Sequence, residues 1–360
     1  MSEDLREQCE ELIERAWEAG YNDTGFAFAQ EAVRLADLLN DRDLQWDARR
    51  ELVDVASFSG HPREGLVAFS WMLAASDSDP GWRPDRELMW SYKWIAANLP
   101  DYPEFSRAQI EGVLDDMERR YRANGLSLKA VYSERFGVAW ALGDEDAWQR
   151  YYRLWLEAPK DGSEDCRACE RNELVTHAIR TGDLRGAFEL AAPILENRMR
   201  CSSVPHRTLA NLLRPAREMG DPEQADKLAQ RLSRLIARDV THCGTYGDLL
   251  QHYAASGNIT GGLRQFEKTL PWLKGHTSPA EEFDYWLGAC NLLAAACEVS
   301  RKPTRKLRLP KEFPGWRPDG VYELSQVLAT AEQRRDELAR AFDARNGNDR
   351  VSRRIRQSRA

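Results

Sequence analysis

A turn glycine returns along this chain at a nearly constant interval, and that period constrains the fold more than any other feature. Gly20, Gly60, Gly143, Gly182, Gly220 and Gly257 are separated by 40, 83, 39, 38 and 37 residues, so the one long interval is two units. Between them, apolar residues recur at helical spacing, as in 42–59 and 206–219, while alternating β-branched runs are nearly absent. Glycine at such a turn suits a left-handed helix C-cap. The polar residue that follows in GDE, GDL, GDP and GNI suits the next N-cap. A fixed period near 39 residues built from helix pairs predicts an all-α solenoid, because one pair alone leaves its apolar face wet and must stack on the next.

The register can be counted from each glycine. Eight residues before it stand Leu12, Leu52, Leu174, Leu212 and Leu249, with Arg135 breaking the rule, and four before it stand Ala16, Ala56, Ala139, Ala178 and Ala216, with Tyr253 in the last unit. Five residues after it come Gly25, Gly65, Ala187, Ala225 and Gly262, with Trp148 in the Gly143 unit. Small side chains there let the two helices of a pair approach closely, while the leucines bury the shared face. PGWRPD occurs at 80–85 and again at 314–319, which is 234 residues or six units of 39 later. It reads as a shared loop in which tryptophan anchors and Pro-Asp opens the next helix.

This register resembles the tetratricopeptide-repeat family over roughly residues 4–298, with a period of about 39 rather than the family's 34. The resemblance implies a right-handed α-solenoid of stacked antiparallel helix pairs, about eight of them, whose first helices line a concave groove. It also implies a protein-interaction scaffold, and it does not name the ligand. The expected boundaries are helical repeats over 1–298, a basic, Pro-rich loop over 299–318, a C-terminal capping helix over 319–346 and a basic disordered tail over 347–360.

DCRACE, residues 165–170, is out of character with its helical surroundings. The chain has 7 cysteines, a net charge of −7 and 30% charged residues, and it opens with an acidic MSEDLREQCEEL instead of a secretory signal. No apolar run is long enough for a membrane span. These features point to a cytoplasmic protein whose thiols stay reduced, which favours metal binding over disulfides. Cys166 and Cys169 lie at the junction before a helix at about 168–181. One repeat on, the matching junction MRCSSVPHRT carries Cys201 and His206. Stacked repeats bring neighbouring junctions together, so Cys166, Cys169, Cys201 and His206 form a set of three thiolates and one imidazole suited to structural zinc. A redox pair has no strand before the CxxC to support it, and simple packing is the bland alternative. His242 and Cys243, one junction further, are the competing ligands, and His177 reads as a helix-packing residue. Cys9, Cys290 and Cys297 read as core.

A closed four-ligand site staples without catalysing. A zinc-dependent hydrolase is the alternative in which water replaces one ligand, with Glu170 or Glu173 as base. No P-loop, GxGxxG after a strand, GxSxG or HExxH occurs, so the expectation is no enzyme. The register places Arg50, Asp54, Asn172, Thr176, Arg214, Arg217 and Gln251 on the groove face, with Arg207 at its edge. Guanidinium groups there suit a carboxylate or phosphate on a peptide or protein partner. The basic runs RKPTRKLRLPK (301–311) and RVSRRIRQSRA (350–360) lack interleaved aromatics, so nucleic acid is the weaker partner class.

Overall fold

All six periodic glycines adopt the left-handed conformation, with φ between +72° and +83°. The caps that follow four of them are equally regular, while His61 after Gly60 makes no side-chain cap bond. Asp144, Asp183, Asp221 and Asn258 accept from the N–H of Ala147, Gly186, Gln224 and Gly261 at 3.0, 2.9, 2.9 and 3.1 Å. Each satisfies a helix-initiating N–H that would otherwise lack a partner. The computed structural model describes residues 2–83, 85–237, 239–273 and 277–358, and in them the chain is all-α and solenoid-like. No helix among these residues is long and apolar enough to cross a membrane.

The helices fall into two compact units. The first contains α1 (Ser2–Ala19), α2 (Asp23–Leu39), α3 (Arg42–Phe58), α4 (Pro62–Ser78), α5 (Asp85–Asn98), α6 (Arg107–Ala123), α7 (Lys129–Leu142) and α8 (Glu145–Glu157). Here the double interval between Gly60 and Gly143 is explained. The α5/α6 connection has no glycine turn; it uses a 3-10 turn at Leu99–Asp101 and a capping box in which Ser106 and Gln109 satisfy each other. Arg135, the break in the leucine rule, is buried and neutralised by Glu118 at 2.7 Å and Asp115 at 2.7 Å. After α8 the chain is pinned back onto this unit, with Ser127 N–H donating to Asp161 at 2.6 Å and Lys93 Nζ to the Ser163 carbonyl at 3.1 Å.

The second unit contains α9 (Arg167–Arg180), α10 (Leu184–Leu195), α11 (His206–Glu218), α12 (Pro222–Leu235), α13 (Cys243–Ala255), α14 (Ile259–Thr269), α15 (Pro279–Val299), α16 (Leu324–Asn346) and α17 (Arg350–Ser358), with β1 (Thr304–Lys306) and β2 (Val321–Glu323) forming an antiparallel pair between α15 and α16. The helices α13 and α15 touch backbone to backbone. A Cβ on Gly288 would sit 1.9 Å from the Gly247 carbonyl oxygen, and one on Gly247 would sit 2.2 Å from that of Asp284, so only glycine fits at this crossing.

The small-residue part of the register holds inside both units, while of the five leucines Leu52, Leu212 and Leu249 are buried and Leu12 and Leu174 are half-buried. The residue five after each glycine is buried in every unit, Trp148 included, and so are the five alanines four before it. Polar side chains then tie one repeat to the next at a separation close to one period. Arg42 reaches Asp79 at 2.7 Å, Arg107 reaches Asp144 at 2.8 Å, and Arg231 donates to the Leu195 carbonyl at 2.6 Å. Exposed pairs of this kind contribute only about 0.2–1 kcal/mol each, so they set register more than they stabilise.

Three expectations change. The 299–318 segment is not simply a loop, for it carries β1, and Leu307 and Leu309 turn inward while Lys306 and Arg308 face solvent. The second PGWRPD copy leads into β2 instead of a helix, and its Trp316 is exposed. In the first copy Trp82 does anchor, with its ring 5.3 Å from that of Trp46 and the Arg42 guanidinium 3.8 Å above it; Pro84 of that copy lies outside the described residues. The 347–360 segment is helical over 350–358 instead of a disordered tail, because Gly347 ends α16 and the Asp343 carboxylate caps the new helix at the N–H groups of Val351 and Ser352, at 2.8 and 3.1 Å.

Candidate metal centre

Cys166, Cys169 and Cys201 come together in the second unit. Their sulfurs lie within 4.8 Å of one another, with Cys169 and Cys201 3.5 Å apart. A Zn–S bond near 2.3 Å sets tetrahedral sulfurs about 3.8 Å apart, so the cluster can hold a metal ion after small side-chain adjustment. Two pieces of local structure build it. Cys166 is the N-cap of α9, with its side chain making no cap hydrogen bond, and Cys169 stands one turn inside the helix. Cys201 arrives on the loop after α10, which turns sharply because the Arg198 and Met199 N–H groups both bond the Pro193 carbonyl, at 2.9 and 3.0 Å. Ala168, Ile194 and Val204 form a small apolar floor beneath Cys169 and Cys201, and Cys201 N–H bonds the Val204 carbonyl at 2.9 Å.

The electrostatics are those of a thiolate site at a helix N-terminus. Burial pushes the Cys166 thiol up, but the Cys169 N–H, the Cys169 and Cys201 thiols and the Ala168 N–H all favour its thiolate, and the net effect is a lowered pKa. Cys169 moves the other way, raised by burial and then by the neighbouring Cys201 and Cys166 sulfurs. Cys166 is thus drawn toward its thiolate while Cys169 resists, as expected of sulfurs held close together. Cys166 is exposed and the other two are partly so.

His206 is not in this cluster. It opens α11 and stands against His242, with ring centroids 4.3 Å apart. Burial holds the His206 imidazole down to about 4, and His242 and Arg207 add to the lowering against Asp239. Burial likewise lowers His242, whose Nε2 lies 3.5 Å from an Asp239 carboxylate oxygen. Cys243 is buried and donates to the carbonyls of Val240 and Trp272 at 3.2 and 3.4 Å, so it is a packing thiol. His177 lies partly buried in α9. Cys9 and Cys290 are buried core residues, and Cys297 packs at the core edge. Among the described residues no fourth His, Cys, Asp or Glu joins the three cysteines. The expected set of three cysteines and one histidine is therefore corrected to the three cysteines alone, because the long loop turns its two ends to different neighbours.

The groove residues also divide. Asn172 is wholly buried and accepts from the Thr208 hydroxyl at 2.7 Å, so it joins α9 to α11 inside the core and is not a surface ligand. Thr176 accepts from Asn211 at 3.1 Å, Arg207 pairs with Glu173 at 3.4 Å, and Arg217 donates to the carbonyl of Ala255 at the end of α13. Arg214 is exposed and held along its own helix by Glu218 at 2.5 Å. Arg50 is exposed, and Asp54 and Gln251 are half-buried. Sequence reasoning missed a recess in the first unit, a cavity of about 670 Å³ bordered by Trp82, Trp90, Tyr121, Asn124, Asp161 and Ser163. Its walls come from segments far apart in the chain. Comparison with known proteins returns no matching family model and no matching curated relative.

Proposed function

We propose that the chain is a non-enzymatic helical-repeat scaffold for a peptide or protein, of the tetratricopeptide type, and that zinc bound by Cys166, Cys169 and Cys201 fastens the loop after α10 to the start of α9. The observation that carries the reading is the convergence of three thiols from two successive junctions onto one helix N-terminus. Thiolates select zinc over magnesium or calcium, and a helix N-terminus favours their negative charge. Zinc would then bind the loop to the helix, and a fourth position open to solvent at the exposed Cys166 side is the one feature that this set shares with the hydrolase alternative. On α11 the exposed side chains of Arg207 and Arg214 stand two turns apart, which suits a partner carboxylate.

The hydrolase alternative needs a free base beside the metal. Glu173, one of the two carboxylates considered for that role, is paired with Arg207. Two measurements test the proposal. Purified protein is expected to carry about one equivalent of zinc, which Cys169→Ser and Cys201→Ser each remove. Affinity capture from native cells should lose its partner on Arg214→Glu with folding intact. Full zinc occupancy in the cysteine variants would sink the metal reading, and unchanged capture would sink the assigned face.

A further inference from the structure

The C-terminal helix α17 carries four arginines, Arg350, Arg353, Arg354 and Arg356, in nine residues, yet it is docked on its own chain. Its apolar side is narrow. Val351 is buried and Ile355 packs against the core, one turn apart. Its polar side grips an acidic recess. Arg354 pairs with Asp284 of α15 at 2.6 Å and lies 5.1 Å from the Phe283 ring centroid, and Asn291 of α15 donates to the Ser358 carbonyl at 3.4 Å. Asp248 of α13 is exposed on the same side and stands close enough to Asp284 and Arg354 to feel both charges. This floor exists because the glycine crossing at Gly247 and Gly288 draws α13 and α15 together and brings Asp248 beside Asp284.

We propose that the recess formed by α13 and α15 is a recognition site for an arginine-rich amphipathic helix of a protein partner, and that α17 is its built-in occupant. The proposal rests on the reading of the chain as a binding scaffold and adds the chemistry of the partner. Charge complementarity fixes that chemistry: two carboxylates and an aromatic ring under a guanidinium accept a basic helix and repel an acidic one. The occupant is also weakly held. A nine-residue helix has little stability of its own. Its printed anchors on α15 and the core are one buried valine, one half-buried isoleucine, the partly exposed Arg354–Asp284 pair and the Asn291 bond to Ser358.

What keeps α17 in place is its tether. The connection from α16 is only residues 347–349, and a short tether raises the local concentration of a ligand to about the millimolar range. Below that concentration a partner must therefore present a longer or more basic helix than α17 to displace it, which makes the tail a threshold against weak competitors.

The probe is a fluorescent peptide of residues 349–358, DRVSRRIRQS, titrated against the full-length protein. Val351→Asp with Ile355→Asp undocks α17 and is expected to bind the peptide at least tenfold more tightly than the wild type does. Adding Asp284→Lys should abolish that gain. A second measurement does not depend on the undocked variant folding: hydrogen exchange at 350–358 in the wild-type chain should rise when the peptide is in excess. Equal binding by the folded variant and the wild type, binding indifferent to Asp284→Lys, or unchanged exchange at saturating peptide would each overturn the proposal. A single-stranded oligonucleotide forms the control arm, and an undocked variant that gains affinity for it but not for the peptide would show that the released tail, not the recess, is the binding element. The peptide titration uses neither metal nor native partner. Its failure leaves the zinc-stapled scaffold standing, and a failed native capture with intact peptide exchange strikes the scaffold reading alone.

Discussion

The loop between α10 and α11 sends its two ends in opposite directions. Cys201 goes back to the N-terminus of α9, where it meets Cys166 and Cys169, while His206 goes forward to meet His242 at the start of α13. The two clusters lie one junction apart and behave differently. At the thiol cluster the helix N–H groups draw one sulfur toward its anion and the others crowd it, so a cation would relieve the arrangement. At the imidazole cluster burial keeps both rings neutral without a cation. The lesson is that equivalent positions in successive repeats do not share a destination. Val204, fully buried between Cys201 and His206, anchors the loop and separates its two halves.

The largest expected effect separates the clusters by damage. Gly288→Val places side-chain atoms where the Gly247 carbonyl already stands, so α13 and α15 must part, at a cost of about 3 kcal/mol or more. The imidazole cluster rests on α13 and should be disturbed, with the histidine ring resonances in NMR shifting, while zinc content stays unchanged. Loss of both together would mean that the two clusters form one unit.

Next comes Asn172→Ala on the thiol side. It leaves the buried Thr208 hydroxyl without its acceptor and should cost roughly 1–3 kcal/mol in denaturant unfolding. A change within error would show that the α9 to α11 contact is not held by this bond.

The imidazole side has its own signature in pH. His206 titrates near 4 when folded against an ordinary value of 6.5, so below 6.5 the unfolded chain takes up a proton that the folded chain refuses. Its contribution is complete above 6.5 and is lost as pH falls toward 4, on the order of 1–2 kcal/mol after allowing for partial exposure. His206→Gln should flatten the stability profile in that window. An unchanged slope would place the burial effect elsewhere.

The smallest effect is expected from Arg214→Glu, whose exposed side chain touches neither cluster. Thermal unfolding should move by no more than about 0.5 kcal/mol. A larger loss would turn Arg214 from a surface group into a packing one.

Much of the fold was legible because the glycine and its following Asp or Asn act locally. The left-handed cap and the N-cap are set by residues one or two apart, and the buried alanines follow at fixed distances. The α13/α15 crossing was not, although Gly244, Gly247 and Gly288 are plain to see, since which helices their missing side chains admit depends on tertiary approach. The tail was misread for a different reason. Its arginines suggested disorder, but Val351 and Ile355 lie one helical turn apart and Gly347 with Asp343 supplies a stop and a start. At the metal site the cysteine spacing carried the cluster, while the partner of His206 depended on the path of a long loop that no local rule fixes.

The central claim is that three sulfurs, and not His206, hold a metal. X-ray absorption at the zinc edge of the purified protein measures this directly. The expected spectrum shows three sulfur neighbours at about 2.3 Å and one lighter neighbour, and it is the same in His206→Gln. No zinc in protein purified under reducing conditions, or loss of a nitrogen neighbour in His206→Gln, would contradict it.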